Sequence, residues 1–194
     1  MPIVAAFLVP HPPLIIPEIG KGGENQIEET KIAYESVAEK IALLEPDTII
    51  ISSPHTVMYA DYFHISPGNA ATGSFASYGA ESVKFIEEYD TELVSEIEQV
   101  AKRNSFPAGT LGEKDRTLDH GVMVPLFFIR KKYRGGKIVR IGLSALPLTE
   151  HYKLGQIIKE VSDNTQKRIV YVASGDLSHK LQEYGPYGYA PEGP

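Results

Sequence analysis

The chain has no cysteine, which excludes disulfide frameworks, thiolate zinc sites, iron–sulfur clusters and cysteine nucleophiles. Any metal must therefore be held by histidine and carboxylate. No run of about 18 apolar residues is present to cross a bilayer, and the opening MPIVAAFLVPHPP lacks the basic segment and small-residue cleavage site of a secretory signal. The sequence thus reads as a soluble, cytoplasmic protein with no membrane partner. Cations are also sparse: the formal charge is −6 and the longest basic block is Arg130-Lys131-Lys132, which argues against nucleic acid as a partner. Neither GxGxxG nor GxxxxGK[ST] occurs, so a phosphate-binding loop is not indicated. Ser174 and Ser178 lack the GxSxG elbow of a serine hydrolase.

What is present is one domain's worth of alternating elements. At 194 residues with 42% hydrophobic content, the chain suits a single core. Short β-branched runs at Ile3 to Val9, Thr48 to Ser52, Lys137 to Leu143 and Arg168 to Ala173 read as strands buried on both faces. Apolar residues at helical spacing predict helices over residues 25–44, Glu92 to Arg103 and His151 to Ser162. The alternation predicts an α/β fold, a three-layer α/β/α domain with a mainly parallel or mixed central sheet. Residues 60–79, rich in Gly, Ser, Ala and aromatics, predict a hairpin or an excursion from the sheet, an insertion able to wall a pocket.

Four of the six histidines fall where α/β enzymes place chemistry. His11 follows the first strand within LVPHPPLII, His55 follows the second within IISSPHT, and His179 comes after the last within YVASGDLSH. In a parallel sheet these ends share one edge. His120, in RTLDHGVMVPLFF, opens an apolar helix, with Asp119 as its candidate N-cap and Pro125 tolerated only if the helix begins near Val122. The positive end of the helix dipole would keep His120 neutral, as a ligand or general base requires. Taken singly, each of these histidines also suits an ordinary loop imidazole bonded to nearby backbone; their convergence favours a shared site. Asp176 and Asp119 are positioned to orient an imidazole by accepting its other N–H, with turn or helix capping as the plainer role. His64 and His151 read as structural.

The motifs VPHPPL, SSPHT, LDHG and SGDLSH, in this order from residue 3 to about residue 180, resemble the class III extradiol ring-cleavage dioxygenases of LigB type, a family that includes Memo-like proteins. The resemblance implies a non-haem Fe(II) centre with His11 and His55 as ligands, and His120 and His179 as acid/base histidines acting on a catechol-like aromatic and O2. It also implies a glutamate ligand some tens of residues after the SGDLSH histidine. This chain ends 15 residues after His179, so a single LigB-like domain over 1–194, incomplete at its C-terminus and inactive in this form, is expected. Glu183 and Glu192 lie in flexible surroundings and are poor substitutes. Zn(II) or an empty site is the alternative occupancy. The alternative functions are a Memo-like non-catalytic domain binding a metal, ligand or protein, and a zinc-dependent hydrolase. The resemblance further implies a fused AMMECR-type domain, as in the AmmeMemoRadiSam system, and leaves homo-oligomerisation open.

Overall fold

Four short apolar segments set the architecture, because strands buried on both faces need a layer of helices on each side. In the computed structural model, which describes residues 3–114 and 117–193, the elements in chain order are β1 (Ile3–Val9), α1 (Pro17–Gly20), α2 (Glu28–Leu44), β2 (Thr48–Ser53), β3 (Phe63–His64), β4 (Ala70–Phe75), β5 (Ala80–Glu88), α3 (Thr91–Arg103), β6 (Ala108–Gly109), α4 (His120–Lys132), β7 (Lys137–Gly142), α5 (Leu148–Asn164) and β8 (Ile169–Ser174). The central sheet has the order β1-β8-β2-β7, and each of its three ladders is parallel.

Successive side chains of a strand point to opposite faces. In β2, every residue of which is buried, Ile49 and Ile51 therefore pack with Tyr34, Ile41, Val122 and Leu126 of α2 and α4. Ile50 packs with Leu93, Ile97, Leu154 and Ile158 of α3 and α5 on the other side. The result is the expected three-layer α/β/α arrangement. The outer edge of β7 is covered by the excursion between β2 and α3: Ser66 N–H donates to Arg140 O at 2.9 Å and Asp90 N–H to Ile138 O at 2.9 Å. No helix among the described residues is long and apolar enough to cross a membrane.

Three helix starts differ from the sequence expectation by more than one residue. Residues Gly23–Ile27 form a 3-10 turn, and α2 begins only at Glu28 because Ile27 is non-helical at φ −125°. Helix α5 begins at Leu148, since Pro147 with φ −53° serves as its N-cap and a fixed φ suits a helix entry. His151 accordingly lies inside the first turn. Helix α4 begins at His120, so Pro125 is its sixth residue. Proline there removes the N–H that would bond the Gly121 carbonyl; Ser174 Oγ–H donates to that carbonyl instead, at 2.5 Å.

His64 is buried, with Nδ1 3.0 Å from Leu111 O, and His151 packs edge-on against Phe63 at 4.7 Å. A polar anchor lies at the opposite end of the sheet. Asp90 caps α3 through Leu93 N–H and accepts from Thr48 Oγ1 and from Lys167 Nζ at 2.8 Å. Burial alone pushes the Asp90 carboxyl up, but Lys167, Thr48 and the Leu93 amide outweigh it and hold the group below the usual carboxylate range. The ionised form is therefore the one that stabilises the fold. Asp90→Asn is expected to cost about 2 kcal/mol at neutral pH in urea denaturation. The difference from the parent should shrink as pH falls below 3.8 and through the lowered native value.

Candidate functional site

Parallel register brings three loops together. Val9 pairs with Ser174, and Ser52 with Ala173, so β1, β8 and β2 end at the same edge. His11 lies two residues past β1, His55 two past β2, and His120 is the first residue of α4. One ring nitrogen from each of these three lies within 4.8 Å of the others. The Nε2 atoms of His11 and His55 are 3.1 Å apart; the ring of His120 sits 4.0 Å from His55 and 5.4 Å from His11, centroid to centroid. His11 is buried, His120 half-buried and His55 exposed, so the cluster has a closed floor and one open side.

The floor is fixed by a chain of hydrogen bonds that also sets a tautomer. Ser174 Oγ has one proton, and it goes to the Gly121 carbonyl. In its 2.9 Å contact with His11 Nδ1, Ser174 must therefore accept, which puts the imidazole proton on Nδ1. The lone pair of His11 is left on Nε2, the atom facing His55. Tyr34 Oη–H, donating to Pro10 O, ties the preceding peptide to α2.

The other two rings are positioned through Asp119. It accepts from Val122 N–H as the N-cap of α4, and from the hydroxyls of Ser53 and Thr56 at 2.7 Å each. These hydroxyls flank His55 in sequence, and Asp119 directly precedes His120. Asp119 thus holds both histidine-bearing backbones in register without bonding an imidazole among the described residues. Gly121 is required for the same closeness: a Cβ there would lie 2.3 Å from Ser53 Oγ.

Asp176 and His179 sit at the rim. Asp176 Oδ2 is 3.0 Å from His179 Nε2 and 3.4 Å from His11 Nε2. His179 is exposed and is hydrogen-bonded to that carboxylate, its ring lying edge-on to Tyr187 at 4.8 Å. Glu183 and Glu192 are exposed, and no carboxylate joins the three-histidine group among the described residues.

Electrostatics favour neutral rings. Burial pulls the His11 imidazole below its ordinary range, more than Asp176 raises it. Burial also lowers His120, reinforced by His55 and His11. Desolvation and neighbouring imidazoles, rather than the helix dipole alone, keep these lone pairs available at neutral pH.

The donor set fits a divalent cation. The His11 lone pair faces a second imidazole nitrogen at 3.1 Å and a carboxylate oxygen at 3.4 Å, a convergence of electron-rich atoms that a positive charge relieves. Two nitrogens 3.1 Å apart match ligands each about 2.1 Å from one ion and about 95° apart as seen from it. Ser174, Ser53 and Thr56 were not singled out as supports from the sequence. One signal was available, a proline inside an apolar helix four residues after Gly121, which leaves a carbonyl in want of a donor.

Residues 5–193 match the family model described as the catalytic LigB subunit of aromatic ring-opening dioxygenase. The chain is 40% identical over 194 residues to Protein CA_C1420 of Clostridium acetobutylicum, covering 96% of this chain and 42% of that protein. It is 24% identical to the 2-aminophenol 1,6-dioxygenase beta subunit of a Pseudomonas species, with 91% of this chain and 63% of the relative covered. It is 28% identical over 155 residues to the 4,5-DOPA dioxygenase extradiol of Beta vulgaris, covering 77% of this chain and 55% of that enzyme. In each case the chain spans less than two thirds of the relative. A match across nearly the whole chain, together with histidines converging at the sheet edge, places the protein in the LigB family as an extradiol dioxygenase-like domain.

Proposed function

We propose that this chain is the Fe(II)-dependent part of an extradiol dioxygenase that opens the ring of a catechol-like aromatic. His11 and His55 are its metal ligands, and His120 and His179 its acid/base residues. The observation that carries the reading is the pair of Nε2 atoms 3.1 Å apart, with the lone pair of His11 aimed at the shared point by Ser174. Bound ferrous iron would supply adjacent open positions for a catecholate and O2.

The remaining roles belong to the protein. Asp176 accepts the Nε2 proton of His179, leaving Nδ1 with the lone pair, so His179 takes a hydroxyl proton from the substrate at Nδ1 and returns one later. Its exposure suits contact with an incoming molecule. His120, neutral and 4.0 Å from the His55 ring, offers a second proton acceptor on the α4 side. Asp119 keeps His55 and His120 facing each other through Ser53 and Thr56, and the buried floor under His11 excludes water from the side opposite the opening.

Anaerobic loading with Fe(II), followed by a catechol and O2, tests the reading. Retained iron supports it, and a yellow ring-fission product is expected where the glutamate ligand implied by the resemblance is also supplied; a protein that takes up no divalent metal overturns it. His11→Ala and His55→Ala are expected to lose metal, whereas His179→Ala keeps the metal and loses turnover. Metal retained by His11→Ala but lost in His179→Ala would reverse the roles.

Two further outcomes follow from the geometry. Ser174→Ala frees the His11 tautomer and should weaken metal affinity about 10- to 100-fold by competition titration, with little change in secondary structure by circular dichroism. In the metal-free protein, the unfolded chain protonates His11 and His120 near pH 6.5 while the native state resists. Stability should therefore fall as pH drops through 6.5 toward the lowered native values. The urea midpoint measured against pH should show this slope, and His120→Gln should flatten it.

A further inference from the structure

One aromatic side chain outside the histidine motifs reaches the site. Tyr78 comes from the turn between β4 and β5, and its ring lies 5.9 Å from that of His120 at an interplanar angle of 61°. The residue is 39% exposed, and its hydroxyl has no hydrogen-bond partner among the described residues. Contact with His120 is thus made by the ring, part of which remains exposed to solvent.

The turn that carries Tyr78 is rigidly anchored. Phe75, fully buried, meets Phe85 at 5.8 Å and Tyr78 at 5.9 Å, both edge-on. Ala76–Tyr78 form a 3-10 turn closed by Gly79 N–H to Ala76 O at 2.9 Å, and Gly79 takes φ +76°, a conformation that favours glycine. The hairpin is fastened to the segment entering α4 by Leu118 N–H to Thr72 O at 2.8 Å. It lies so close to α4 that a Cβ at Gly73 would sit 2.6 Å from Met123 Sδ. Tyr78 and His120 are therefore carried by parts of the fold that are bonded to each other two residues before His120.

We infer that Tyr78 is the aromatic wall of the substrate pocket, the surface against which the ring of a bound dihydroxybenzene packs beside His120. This rests on the function proposed above. A planar ring held by its two oxygens at the histidine cluster has its own edge and face to bury, and offset or edge-on contact with another aromatic is the favourable way to do so. Tyr78 then selects for aromatic over aliphatic chelators, while the histidines provide the grip.

The test uses 4-nitrocatechol as the probe, titrated anaerobically by visible absorption into Fe(II)-loaded protein, with metal content measured in parallel. Tyr78→Ala should keep its metal and bind the probe about 3- to 10-fold more weakly. Tyr78→Phe should restore binding to within about two-fold of the parent, because the ring makes the contact. Unchanged affinity in Tyr78→Ala overturns the inference, and so does loss of metal in that variant, which would make Tyr78 a prop for His120 alone. Failure of the metal-loaded parent itself to bind 4-nitrocatechol is a separate result: it defeats the proposed function, and the wall falls with it.

Discussion

Parallel pairing of β1, β8 and β2 is the constraint from which the site follows. Antiparallel neighbours would send alternate strand ends to opposite edges of the sheet; here Val9, Ser174 and Ser53 all finish on one side. His11 and His55, 44 positions apart in sequence, then need only a two-residue step beyond their strands to meet. The buried isoleucines of β2, divided between two helical layers, hold that edge in place.

Within that frame a few small polar groups do the fine positioning. The Ser174 hydroxyl spans from a helix carbonyl to a histidine, so a defect in helix α4, the proline that leaves Gly121 O without its usual donor, becomes a support for the floor of the site. Asp119 plays a comparable part between β2 and α4, using both carboxylate oxygens to bind the loop around His55 to the helix that begins with His120. These are short, buried or half-buried bonds between rigid elements, which is what a preorganised cluster of imidazoles requires.

The rim is built differently. His179 and Asp176 lie on the segment after β8, in contact with solvent, and are linked to the floor through a single carboxylate oxygen. Under the roles proposed above, such a place suits His179 as a proton-exchanging group and the rigid floor suits His11 as a ligand. Burial is graded across the site: His11 is enclosed, His120 lies between, and His55 and His179 are open.

The layered α/β architecture, the four central strands and the histidines at their ends were legible in the sequence, because β-branched runs, helical periodicity and strand-end position are local patterns with direct physical causes. Helix starts were less legible: α5 is entered through Pro147, and the early start of α4 relies on a donor distant in sequence, as Ser174 is from Gly121. Which histidines meet was a tertiary matter: register brought His11, His55 and His120 within ligand distance and left His179 outside, one carboxylate away. The hydroxyl partner of His11 and the approach of Tyr78 to His120 were likewise decided only by folding. Hydrogen-bond direction and ring packing depend on how separate segments are placed in space, and no spacing along the chain encodes them.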